Sequence, residues 1–193
     1  NNLITRQTIK QNVNNVLPYL RYLYKFSDAS RFYFNYSTSS NQPTIDQIQP
    51  IQDNTTPNQI KKGNPNLLPT FQHTIGVDYN AYKAISGKYF GSNASYTTTN
   101  NAFSNAILYD SMGRIMTQPI NVNGNYNYRG GIYGSFPFFS KKLDLSPSLN
   151  FDYNSYSSFI NTQKNNTKTA GTRAGMDVSI QLDTLEFRIG YNL

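Results

Sequence analysis

Few side chains in this 193-residue sequence could do chemistry. The chain has one histidine, His73, and no cysteine, so it offers no thiol nucleophile, thiolate metal site or disulfide. His73 has no second histidine to share a metal ion, and no histidine stands among the acids to complete a Ser-His-Asp set. The sequence therefore predicts no catalytic residue, no metal site, no cofactor and no enzymatic activity.

The acidic residues favour charge neutralisation over catalysis. Catalysis by paired carboxylates needs two acids at a short, defined separation inside a pocket, and no spacing in the sequence specifies such a pair. The acids that alternate with apolar residues are Asp144, Asp152, Asp177 and Glu186. We expect them to neutralise arginines on the same polar faces, with Asp177 diagonal to Arg188; the arginines are Arg129, Arg173 and Arg188.

The candidate ligand-binding residues lie in a long polar loop at residues 39–69. Loops longer than about 12–15 residues are uncommon unless they are functional or disordered, and prolines restrict the backbone of this one. Lys61 and Lys62 could meet acidic ligands or lipopolysaccharide phosphates. The full set of candidates is Asp53, Lys61, Lys62 and Asn64. An equal alternative is a loop that only caps the underlying strands.

Period-two alternation predicts the elements that position these residues. In residues 143–153 every odd position is apolar and every even position is polar, which is typical of a strand whose two faces meet different surroundings. His73 falls on an apolar face, where we expect an interfacial residue. The main predicted strands cover about residues 15–26, 30–38, 70–83, 88–100, 124–139, 143–159, 168–182 and 185–193.

Short turns keep the apolar residues of neighbouring strands on one face. A slip of one residue would move every side chain to the opposite face, so agreement across several turns supports the strand assignment. The predicted turns lie at 27–29, 84–87, 141–142 and 183–184, and they pair Tyr24 with Phe32, Val77 with Ala94, Phe138 with Leu145 and Leu182 with Leu185.

The connections between strands alternate in length. The short turns alternate along the chain with long polar loops at about 39–69, 101–123 and 160–167. This pattern is typical of transmembrane β-barrels. We therefore predict an all-β fold of antiparallel up-and-down hairpins, about eight strands of a transmembrane β-barrel, with the whole of 1–193 as a partial barrel domain. The apolar face is expected to contact the lipid bilayer.

Composition agrees with this fold class. Aromatic residues make up 15% of the chain and charged residues only 14%, against about 25% charged residues in ordinary soluble domains. No apolar run is long enough for a transmembrane helix. The basic residues are scattered rather than arranged in a stripe with interleaved aromatics, so we expect no nucleic-acid partner.

A resemblance to a known family is carried by residues 41–80, NQPTIDQIQPIQDNTTPNQIKKGNPNLLPTFQHTIGVDYN. This stretch resembles the outer-membrane barrel region of TonB-dependent receptors, and YDSMGRIMTQPINVNGNY at residues 109–126 is similar to the same branch. The resemblance implies one part of a barrel of about 22 strands filled by a plug domain. It further implies the outer membrane of a Gram-negative bacterium, energy from the TonB complex, and uptake of an unknown nutrient, small solute or chelate.

Two other functions stay open at this point. One is a small, complete outer-membrane barrel that acts as an adhesin or structural protein. The other is a soluble carbohydrate-binding β-sandwich, which the alternation of short turns and long loops disfavours.

Overall fold

Strands that alternate along the chain pair with their neighbours and build one sheet. The computed structural model describes residues 14–56 and 58–193, without the side chains of residues 53–55. The described elements are β1 (Tyr19–Ser27), β2 (Ser30–Asn41), α1 (Ile45–Ile48), β3 (Gln52–Thr56), β4 (Gln59–Lys62), β5 (Thr70–Lys83), β6 (Lys88–Asn100), β7 (Ala102–Tyr109), β8 (Ile115–Val122), β9 (Asn125–Phe138), β10 (Leu143–Ile160), β11 (Gln163–Leu182) and β12 (Leu185–Asn192).

Eight long strands form an antiparallel meander in the order β1-β2-β5-β6-β9-β10-β11-β12. This confirms the all-β class, the up-and-down hairpins and each of the predicted main strands. β1 pairs only with β2, and β12 only with β11, among the described residues. The meander is therefore an open, single sheet and lacks the second layer of a sandwich.

Two of the predicted long loops contain secondary structure of their own. β3 pairs with β4, and β7 pairs with β8, as two short antiparallel hairpins. β4 runs parallel to β8, and β7 runs parallel to the end of β10. We call residues 42–69 and 101–124 the cap, because together they form a small four-stranded extension at one end of the sheet.

The turn between β9 and β10 corrects one predicted register. The prediction of a two-residue turn at Lys141–Lys142 is wrong, because residues 139–142 form the turn and Phe138 lies opposite Leu143 rather than Leu145. Three successive residues, Phe139, Ser140 and Lys141, take positive φ angles of 48°, 54° and 71°. The shift is two residues, so every side chain keeps its predicted face.

The connection predicted as a long loop at 160–167 is also shorter than expected. β10 and β11 remain paired up to Ile160 and Gln163, and only Asn161 and Thr162 form the turn. Both have positive φ, 47° and 67°, as the commonest two-residue hairpin turn requires. The polar composition of residues 163–167 concealed the first part of β11, which projects together with the end of β10.

One face of the meander is apolar across its whole width. A single row crosses five strands, with Phe34 opposite Val77, Val77 opposite Ala94, Ala94 opposite Gly130 and Gly130 opposite Phe151. Large side chains on this face remain exposed, from Leu149 at 42% to Ile189 at 69%. The buried hydrophobic residues among those described are instead all in the cap: Ile60, Leu67, Ala102 and Val122. A soluble protein rarely leaves so large an apolar surface uncovered.

Aromatic rings gather at the two ends of the apolar face. Tyr96, Tyr126, Tyr128 and Tyr153 cluster below the cap, with ring centroids 4.7 to 6.3 Å apart. At the opposite end, Phe26 lies 6.1 Å from Tyr79, which lies 6.2 Å from Phe90. Two such bands are the interfacial girdles of outer-membrane barrels. None of the described helices has the length and apolarity to cross a membrane.

The two faces make a first testable prediction. In the full-length protein, Leu149→Arg or Val178→Arg should cost about 2–4 kcal/mol of folding free energy, because each places a cation on the face that meets lipid. Ser148→Arg, on the polar face between them, is the matched control and should cost little. Denaturant unfolding in lipid bilayers measures the difference, and equal costs on both faces would contradict the assignment.

Candidate functional site

The first half of the cap is fixed by hydrogen bonds that start at Gln47. The Thr44 amide at the start of α1 donates to the Gln47 side-chain oxygen Oε1 over 2.9 Å. The Gln47 carbonyl in turn accepts the Asn64 amide over 2.7 Å. Gln47 therefore caps α1 and joins the two ends of residues 42–69, which explains the glutamine at this point of the sequence.

Gly63 and Asn64 complete this junction. A Cβ atom at Gly63 would collide with the carbonyl oxygen of Gln49, so no other residue allows this approach of the two backbones. The Asn64 side-chain amide donates to the Pro119 carbonyl over 3.0 Å, and its oxygen accepts the Asn66 amide over 3.0 Å. Asn64, a predicted ligand-binding residue, thus has its side chain engaged within the cap.

The two halves of the cap meet around the buried Leu67 side chain and the amide side chain of Asn121. Leu67 is fully buried, and the neighbouring Leu68 backbone is held by Asn121 in β8. The Leu68 amide donates to Asn121 Oδ1 over 2.8 Å, while Asn121 Nδ2 donates to the carbonyls of Leu68, at 2.9 Å, and Asn101, at 2.7 Å. One asparagine side chain therefore satisfies three backbone groups from two loops.

The turn between β7 and β8 is built by Asp110. Its carboxylate accepts the backbone amides of Met112 and Arg114, each over 2.9 Å, and contacts Arg114 Nε at 2.6 Å. The Arg114 backbone amide, followed by the Arg114 side chain, lowers the pKa of the Asp110 carboxyl. Gly113 supplies the positive φ of 77°. The YDSMGR pattern at residues 109–114 is thus the sequence of a tight turn.

A groove of about 520 Å³ runs along the outer side of the cap between α1, β4, β7 and β8. Lys61 and Lys62 both line it, and neither forms a salt bridge within the part of the chain that the structure describes. The other polar side chains along it belong to Asp46, Gln47, Gln49, Asn105 and Thr117. Among the described side chains that line the groove, two lysines stand with one acid, Asp46, so the lining suits a polar ligand with negative charge.

The structure brings together half of the predicted site. Lys61 and Lys62 share the groove, and Asn64 lies beside it as part of the scaffold. The Asp53 backbone pairs with Lys61 in the β3–β4 hairpin, but its side chain lies outside the described residues. Asn105 and Thr117 were missed, because they belong to the second loop and nothing in their local sequence indicates that β8 lies against β4.

His73 lies on the apolar face at the cap end of β5, the position predicted for an interfacial residue. Its Nδ1 atom is 2.8 Å from the Tyr36 hydroxyl, and its ring meets Phe71 edge-on at 4.8 Å. Within the described residues, no three His, Asp or Glu side chains approach closely enough to hold a metal ion.

The acids of the polar face contact nearby polar groups. Asp152 lies 3.6 Å from the Arg173 guanidinium, as predicted for charge neutralisation. The register places Asp177 diagonal to Arg188, as predicted, but the Arg188 side chain pairs with Glu186 at 2.9 Å, which shares its face of β12. These side chains are largely exposed, so each pair contributes little to stability.

Comparison with known proteins gives one match. The model of a family described as the outer membrane protein beta-barrel family matches residues 1–193. No curated protein and no solved structure matches the chain.

The role of the Asn121 side chain in joining the two loops of the cap gives a second testable prediction. Asn121→Asp keeps the acceptor for Leu68 but removes both donors, leaving two carbonyls facing a carboxylate. The cap should open more readily by about 1–3 kcal/mol, the usual cost of unpaired polar groups. Hydrogen exchange across residues 60–69 in the full-length protein measures this opening.

The control for that variant is Asn105→Asp. Asn105 is exposed on β7, and its side chain makes no hydrogen bond to the described residues. The same change of charge should leave exchange at residues 60–69 unaltered. Similar protection in both variants would show that Asn121 does not hold the cap together.

Proposed function

We propose, from the premise that this chain belongs to the outer membrane protein β-barrel family, that it is a wall segment of a TonB-dependent uptake receptor. The chain resides in the bacterial outer membrane, and its apolar face contacts the lipid bilayer. In the proposed role, the barrel surrounds a plug domain, draws energy from the TonB complex and admits a nutrient, small solute or chelate without chemical conversion.

The open sheet supports a barrel larger than this segment. β1 and β12 each present an edge that is unpaired within the described residues, and such edges are templates for pairing with further strands. Barrels of about 22 strands enclose a lumen wide enough for a plug. The polar face of the meander, with Arg129, Asp152 and Arg173 around a recess of about 480 Å³, suits contact with such a filling.

The cap is the observation that carries the proposal. Within residues 41–80, Gln47 and Gly63 close the first loop on itself, and Asn64 joins it to the second loop, so that two loops build one defined surface. That surface presents Lys61 and Lys62 in an accessible groove. We propose that these two lysines contact an anionic group of the arriving solute, while Asn64 holds the groove in shape.

A complete small barrel is the second candidate. It is favoured by the number of long strands, since eight strands can close into a barrel whose interior is filled by side chains. In that case the cap would act as an adhesive or structural surface, and no plug or TonB complex would take part.

Genetic interaction with TonB provides the third testable prediction. Deleting the gene for this protein, deleting the gene for TonB, and deleting both should impair growth to the same extent on whichever carbon or iron source depends on the receptor. Energy from TonB would then serve the same step as the barrel. A panel of defined media with each as the sole source measures the three strains side by side.

Two results would contradict uptake through TonB. One is an additive growth defect in the double deletion, because independent routes add their effects. The other is a purified 193-residue chain that inserts into vesicles as a closed, heat-modifiable monomer, which favours the small complete barrel.

The position of the cap provides the fourth testable prediction. Long loops of outer-membrane barrels lie outside the cell and short turns inside, so Asn58→Cys in the cap should react with a membrane-impermeant thiol reagent on intact cells. Ile85→Cys is the matched control, because Ile85 is 100% exposed in the β5–β6 turn at the opposite end. Labelling of Ile85→Cys on intact cells would invert the topology.

A further inference from the structure

The apolar face is indented along the boundary between β6 and β9. Two adjoining depressions of about 330 and 420 Å³ share a floor of Ala94 and Gly130, with Val77 on one side and Phe151 on the other. A Cβ atom at Gly130 would meet nothing closer than the Asn93 carbonyl at 3.5 Å, so the absence of a side chain there leaves open space. We call this indentation the furrow.

Tyrosines close the furrow at its cap end. Tyr96 and Tyr128 line the second depression, and their rings stack at 4.7 Å. Tyr153 lies beside them, 6.3 Å from Tyr128. Tyrosine combines an apolar ring with a hydroxyl group that prefers water, which places this end of the furrow at the level of the lipid headgroups.

Two lysines stand on the same face just beyond the tyrosines. Ala170 lies opposite Tyr153, Lys168 opposite Ser155 and Lys164 opposite Phe159, so the alternation of β11 turns both lysines toward the side that meets lipid. They are exposed, and neither forms a salt bridge to a described residue. β11 is two strands from β9, about 10 Å across the sheet. Lys168 and Lys164 lie four and eight residues along β11 from Thr172, which is in the row of Gly130, so they stand about 13 and 26 Å further toward the cap end.

We propose that this face binds one phosphorylated lipid of the outer leaflet, with an acyl chain in the furrow and its phosphate groups near Lys168 and, further out along β11, Lys164. The furrow alone suits any hydrocarbon chain, and the lysines alone suit any anion. Their arrangement, with tyrosines between them, matches an amphipathic molecule that spans the same boundary.

The location of the lysines decides which leaflet supplies the lipid. Lys164 and Lys168 belong to the projecting β10–β11 hairpin, on the same end of the sheet as the cap, and that end is extracellular in outer-membrane barrels. The inference rests on membership of the barrel family and on this orientation, and it is independent of TonB.

Native mass spectrometry of the full-length protein in a neutral detergent tests the site. Purified diphosphoryl lipid A is the probe, and the same lipid after enzymatic removal of its phosphates is the comparison. Wild-type protein should retain the phosphorylated lipid. Its affinity for the dephosphorylated lipid should be lower by a factor of about ten. Equal binding of the two lipids would overturn the role of the lysines.

Variants separate the two halves of the site. Lys164→Gln with Lys168→Gln should weaken binding about tenfold, whereas Lys141→Gln with Lys142→Gln, the same loss of charge at the opposite end, should not. Gly130→Leu should fill the furrow and weaken binding severalfold, and Ala94→Leu tests the same space if the first variant folds poorly. Ala174→Leu adds the same bulk outside the furrow and should bind as wild type.

The outcomes distinguish this inference from the proposed uptake function. Unchanged binding in the Lys164 and Lys168 variant, or an equal loss in the Lys141 and Lys142 variant, overturns the lipid site and leaves the growth experiment with TonB unaffected. Competition by millimolar inorganic phosphate without any effect of Gly130→Leu or Ala94→Leu would assign the lysines to free phosphate and overturn the lipid.

Discussion

The rest of the molecule depends on one constraint: the strands must pair in registers that keep apolar side chains on the same face of the sheet. Because side chains alternate between the two faces of a strand, each turn must return the chain in a register that keeps apolar residues together. The turn at residues 139–142 differs from its predicted length by two residues, and Leu145 still faces the same side as Phe136. The meander consequently has a lipid-facing surface but no core of its own, and only the bilayer covers it.

The cap is held together in a different way from the sheet. Its buried hydrophobic residues are few, so the backbone of two loops is held chiefly by amide side chains. The side chains of Asn121 and Asn64 bond to main-chain groups of a distant segment, while the Gln47 side chain caps α1 at Thr44 and its carbonyl accepts the Asn64 amide. Such bonds pair backbone groups close to Leu67, and a polar sequence can thereby fold without the alternation that builds the sheet.

Alternation was sufficient to predict the main strands, their faces and the interfacial place of His73. It could not predict β3, β4, β7 and β8, because these strands are short and their hairpins are joined only by pairing between β4 and β8, which are distant in sequence. Nor could it show that residues 163–167 begin β11. For the same reason Lys61 and Lys62 were recognisable as a basic pair, whereas Asn105 and Thr117 became part of their groove only through the pairing of β4 with β8.

In the cap, different residues hold the backbone and line the groove. This separation affects how the protein can change during evolution. The residues that hold it, such as Gly63 and Asn121, point inward to the backbone, and those along the groove, such as Lys61 and Asn105, point outward. Substitutions in the second group leave the scaffold bonds intact, so specificity can drift rapidly while the architecture stays fixed. Descendants of one ancestral barrel can thus diverge in what they recognise without passing through an unfolded intermediate.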